Sequence, residues 1–96
     1  MKFIELNNVG SIFFFEGLYD LALQYFKAAW EDWTAKGMRD RREGFILAHN
    51  CAQCLYKLGR ISQAMNMVEV AKRLLTDSRP TEPSNPVVSN DNTLTN

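Results

Sequence analysis

Residues 7–30 read NNVGSIFFFEGLYDLALQYFKAAW, and the placing of small and large residues along them decides the fold. Leu6, just ahead of the stretch, stands with Val9, Gly10 and Phe13 at i, i+3, i+4 and i+7, one face of an α-helix. Tyr19, Ala22, Phe26 and Ala29 trace a second helical face. Only Glu16, Gly17 and Leu18 separate them, room for a tight reversal and nothing more, so the two helices run antiparallel. Gly10 and Ala22 lack bulk where the backbones come close, and Phe13, Tyr19 and Phe26 fill the space beside them. The pattern describes a helical hairpin built to stack on another of its kind.

A second hairpin follows in the same register. Ala48, Cys51, Ala52 and Leu55 stand 42 residues after Leu6, Val9, Gly10 and Phe13. At that same offset Gly59 answers Gly17, Ile61 answers Tyr19, and Ala64, Val68 and Ala71 answer Ala22, Phe26 and Ala29. Asn50 falls where Asn8 does. A whole series of small and large residues at one offset is an internal repeat, the mark of a stacked architecture.

This unit resembles the tetratricopeptide repeat, which carries large-small-large residues in its first helix and Ala-Phe-Ala in its second. The first copy matches at Val9, Gly10, Phe13, Gly17, Tyr19, Ala22, Phe26 and Ala29. The second departs from the pattern at Cys51, Ile61 and Val68, and Thr34 and Thr76 stand where the family has its closing proline. The 42-residue period and the opening Leu6-Asn7-Asn8-Val9-Gly10 look most like the variant found in kinesin light chains. The resemblance implies an all-α fold of two stacked helix-turn-helix hairpins, a short right-handed superhelix, over residues 1–78, with repeats at about 3–36 and 45–78. Pro80, Pro83 and Pro86 among polar residues predict a disordered tail over 79–96.

The resemblance also implies a function. In such arrays the first helices line a concave groove that holds an extended peptide. The residues outside the core stripe of the first helix are Ile4, Asn7, Asn8, Ser11, Phe14 and Phe15, and their counterparts are Ile46, His49, Asn50, Gln53, Tyr56 and Lys57. Asparagines at the place of Asn8 and Asn50 clamp peptide backbones in related repeats, a task suited to a side chain that both donates and accepts. An asparagine there can instead bond to its own helix. Phe14 and Phe15 either pack against the second hairpin or form an aromatic shelf for a ligand. Family members that hold carboxylate-ended chaperone tails carry basic residues along the groove, whereas Asn7, Ser11, Ile46 and His49 stand at or near those places here and only Lys57 is basic. That subtype is disfavoured.

The remaining elements read as follows. The second helix spans about Leu18 to Ala35, with Trp30 or Trp33 covering the joint between hairpins. Residues 36–44 form the connection, with Gly37 as a left-handed cap and Arg39, Arg41 and Arg42 as a basic patch, solvated rather than in contact with an acidic peptide or phosphate. The third helix spans about Phe45 to Leu58 and holds Cys51-x-x-Cys54, two small apolar thiols for the core. One histidine and no second ligand pair do not make a zinc site. The fourth, about Ile61 to Thr76, carries Met65, Met67, Val68, Val70, Leu74 and Leu75, more apolar residues than one hairpin covers. This predicts a covering element, first of all a second copy in a homodimer through Met65, Met67, Val68, Leu74 and Leu75.

Composition narrows the class. Eleven basic and eleven acidic residues leave no net field to recruit nucleic acid or an acidic membrane. Residues 35–76 hold eight basic residues against Asp40, Glu43 and Glu69, while residues 1–34 are acidic, an asymmetry that fits stacking neighbours or ordinary surface scatter. Glu5 interrupts Met1 to Ile4 before an apolar run of signal length forms, and Ile12 to Phe15 is far short of a spanning helix. Two cysteines without a secretory signal suggest an intracellular, cytoplasmic setting. No paired carboxylates, phosphate loop or nucleophile–base set points to an enzyme, and no cofactor or metal is expected. The expected function is a protein-interaction adaptor, with a self-associating helical unit or a remnant of a longer array as the alternatives.

Overall fold

The computed structural model describes residues 2–76. They form α1 (Phe3–Phe15), α2 (Tyr19–Ala35), α3 (Arg41–Lys57) and α4 (Ile61–Thr76), with no strand among them. α1 packs on α2, α2 on α3 and α3 on α4, so two antiparallel hairpins stack side by side. The tail expected over 79–96 lies outside the described residues.

Both hairpins turn in the same way. The Leu18 N–H donates to the Phe13 carbonyl at 2.9 Å and the Gly17 N–H to Phe14 at 3.0 Å. In the second hairpin Arg60 donates to Leu55 at 2.8 Å and Gly59 to Tyr56 at 3.0 Å. This paired closure satisfies the last carbonyls of each first helix. It requires a left-handed residue, and Gly17 (φ 81°) and Gly59 (φ 79°) supply it without strain.

The core forms in two clusters. Ala22, Leu23, Phe26, Cys51, Cys54, Leu55 and Ala64 make one; Ala29, Trp33, Leu47 and Leu74 make the other. The approach of α1 to α2 is as close as its small residues suggest. A Cβ on Gly10 would lie 2.7 Å from two Phe26 ring atoms and 3.3 Å from the Ala22 carbonyl oxygen. At the joint between hairpins, Trp33 is the tryptophan that is buried, and its Nε1–H donates to the Arg39 carbonyl at 2.6 Å. Trp30, half-buried, packs against it with ring centroids 5.3 Å apart. Asp32 joins the start of α1 to α2: its Oδ2 accepts from the Phe3 N–H at 2.9 Å and from Lys36 Nζ at 2.8 Å. The bond from Lys36 holds this carboxyl below its ordinary value.

Two expectations need correction. α3 begins at Arg41 rather than Phe45, so the connection is Lys36 to Asp40 and Arg41 and Arg42 are helical. The Asp40 carboxylate caps the helix by accepting from the Arg42 N–H, and Glu43 sits in the first turn, where acidic groups favour a helix start. Gly44 is consequently a buried helical residue lying under the Trp33 ring. On α4, Leu74 is buried in the second cluster instead of facing outward, and Met67 and Val70 are partly covered. The outward stripe is therefore narrower than the sequence suggests, and Ile61, Met65 and Val68 are its exposed members on the first two turns.

Candidate functional site

α1 and α3 are the first helices of the two hairpins and are linked by one side-chain bond beside a shared cleft. Their meeting point is a hydrogen bond from Asn50 Nδ2 to Asn7 Oδ1 at 2.7 Å, both residues half-buried. This uses one of the two N–H groups of Asn50; its other N–H and its Oδ1 take no partner among the described residues. One turn on, Ser11 Oγ donates to the Asn7 carbonyl at 3.0 Å. Ser11, Phe14, Phe15, Phe26, Asn50 and Gln53 surround a cleft of about 280 Å³. An adjoining apolar cleft of about 270 Å³ is lined by Phe14, Ala52, Gln53, Tyr56, Lys57, Ala64, Met65 and Val68.

The predicted groove residues thus separate into groups. Asn7, Ser11, Phe14, Phe15, Asn50 and Gln53 come together around the amide pair and its cleft. Tyr56 and Lys57 line the neighbouring cleft, with the Lys57 ammonium 5.9 Å from the Tyr19 ring centroid. Ile4, Asn8, Ile46 and His49 are exposed and line neither cleft. His49 stacks on Phe45, ring centroids 5.8 Å apart. Asn8 and Asn50 are equivalent in the repeat, but Asn50 bonds to Asn7 and not to Asn8. Reading the copies at a fixed offset conceals this, because stacked helices touch through unlike positions. Phe14 packs on Tyr19, ring centroids 5.2 Å apart, and against the core while lining both clefts, whereas Phe15 is 85% exposed.

Cys51 and Cys54 are buried free thiols in the core. Burial pushes the Cys51 thiol up to about 12 and the Cys54 thiol up to about 11. The thiolate is the reactive form, so in the folded chain both are expected to resist iodoacetamide at pH 8 and to react fully once unfolded, read by intact mass. The unfolded chain releases these protons from about pH 9, before the folded one does, so stability falls as pH rises above that point. Labelling of the native chain at the unfolded rate would contradict this burial. Among the described residues no group of three or more His, Cys, Asp and Glu could hold a metal ion, and no helix is long and apolar enough to cross a membrane.

In comparison with known proteins, a family model described as tetratricopeptide repeat matches residues 4–77. No curated protein and no solved structure matches the chain.

Proposed function

The chain belongs to the tetratricopeptide repeat family, whose members bind protein partners, and we propose that it grips an extended segment of a partner protein along the surface shared by α1 and α3. The observation that carries this reading is the Asn7–Asn50 bond across the two hairpins. It holds the Asn50 amide in a fixed direction at the edge of the 280 Å³ cleft, where its second N–H and its Oδ1 can meet a peptide group of the ligand. Fixing the amide in advance lowers the ordering cost of binding. Phe14 and Phe15 supply apolar contact beside it, and Gln53 adds a second exposed amide. Asn8, Ile46, His49, Tyr56 and Lys57 form the wider rim, where they tune which sequence fits.

Peptides selected against the full chain by display supply the ligand for a test. Asn50→Ala removes a ligand bond and is expected to weaken a selected peptide by about 1–2 kcal/mol, roughly 5–30-fold in Kd by calorimetry. Asn7→Ala, which releases Asn50 without touching the ligand, is expected to weaken it less. Unchanged affinity in both variants would remove the clamp from the proposal.

A further inference from the structure

The outer face of the second hairpin has an internal counterpart that shows what it is shaped to receive. Met65 and Val68 on α4 stand 42 residues after Leu23 and Phe26 on α2, and Ala52 and Tyr56 on α3 stand 42 after Gly10 and Phe14 on α1. In the first hairpin α3 covers this surface. Leu23 and Phe26 keep only 5% and 2% of their exposure, in one cluster with Cys51, Cys54 and Leu55 of α3. In the second hairpin the same positions are open: Met65 is 65% exposed, Val68 43% and Tyr56 65%, and they line the apolar cleft of about 270 Å³. The cleft lies where the α2–α3 interface would be repeated one step along the stack.

We infer that this cleft seats an amphipathic α-helix of a partner protein, one that presents a face of the α3 kind, with a larger apolar residue toward Val68, which is smaller than its counterpart Phe26, and small residues alongside. A helix laid there touches α3 and α4 together, as α3 does α1 and α2. A second copy of this chain does not offer such a helix. Its free first helix is α1, which has Lys2 and Glu5 at the places of Gly44 and Leu47. The Glu5 carboxylate accepts from the Lys2 backbone N–H at 3.0 Å, and docking α1 there would bury this charge without a countercharge. Two copies meeting through α4 alone would share the Ile61–Met65–Val68 strip and, past Lys72, which is paired with Glu69 at 3.4 Å, the single exposed side chain of Leu75. A strip about two turns long with one further leucine falls short of the roughly 800 Å² per partner of a stable interface.

The probe is a labelled synthetic peptide of residues 41–57 carrying Cys51→Leu and Cys54→Ala, with acetylated and amidated ends. The leucine fills the space left where Val68 replaces Phe26, and the alanine removes the remaining thiol. Titrated with the full chain, it is expected to show saturable anisotropy below about 1 mM, with a gain in helical circular dichroism. Val68→Asp and Met65→Glu are each expected to weaken it at least about tenfold, and Met65→Glu, at a position already largely in solvent, retains the fold. Asn50→Ala, which tests the extended-peptide site, leaves this binding unchanged and so separates the two readings. Three results would overturn the inference: no saturation, binding indifferent to both α4 variants, or sedimentation of the wild type as a dimer that Val68→Asp converts to monomer.

Discussion

Gly44→Ala is expected to destabilise the chain by about 2–3 kcal/mol, as a shift of the urea midpoint at constant slope. A Cβ at position 44 would meet three atoms of the Trp33 ring, each closer than 3.0 Å. The ring has little room to yield, since its Nε1–H is bonded to the Arg39 carbonyl and its flank packs on Trp30. Alanine is the better helix former by about 1 kcal/mol, which works in the opposite direction. The overlap is with rigid aromatic atoms rather than the end of a flexible side chain, and overpacking therefore wins. A small two-hairpin core nets only about 3–5 kcal/mol, so the variant is expected to populate the unfolded state visibly at room temperature. Trp33→Leu opens the space: the Gly44→Ala/Trp33→Leu double variant is expected to be more stable than the two single losses sum to, by at least about 1 kcal/mol. Strict additivity would mean that the two side chains do not compete for one volume.

This joint also shows where sequence reading succeeds and where it stops. The hairpins, their reversals and the inward direction of Cys51 are legible because they rest on residues a few positions apart, repeated at one offset. Gly44 is not legible in the same way. Its smallness serves a ring eleven residues earlier, and its counterpart in the first copy is Lys2, so the repeat gives no hint of it. The acid at Asp40 with Glu43 three residues on is a recognisable helix-start signal. The arginines between them resemble a solvated loop and mask that signal. The first-helix faces are legible as a set of residues, but the bond that links them is not. Asn50 and Asn8 look like partners because they occupy one place in the repeat, yet stacking brings Asn50 to Asn7. α4 exposes apolar side chains as its sequence indicates, but fewer than its pattern suggests. Leu74 turns in to meet Trp33 and Leu47, a contact between the hairpins that no pattern within α4 reports.

Gly10→Ala should behave differently according to what stands at position 26. In the wild type the added methyl would lie 2.7 Å from Cδ1 and Cε1 of Phe26 and 3.3 Å from a backbone oxygen of Ala22, so neither α1 nor α2 can move aside cheaply. The expected loss is about 1–3 kcal/mol. The second hairpin resolves the same crossing the other way, with Ala52 in place of Gly10 and Val68 in place of Phe26. If the two hairpins exchange volume between these positions, Phe26→Val alone should lose about 2–3 kcal/mol to a cavity. Gly10→Ala added to that background should then restore about 0.5–1 kcal/mol, through helix propensity and the filling of part of the void. The same substitution is thus expected to change sign with its neighbour. Chemical denaturation of the four proteins reads this directly, and an equal loss from Gly10→Ala in both backgrounds would show that the Ala22 backbone, not the Phe26 ring, sets how closely the helices can approach.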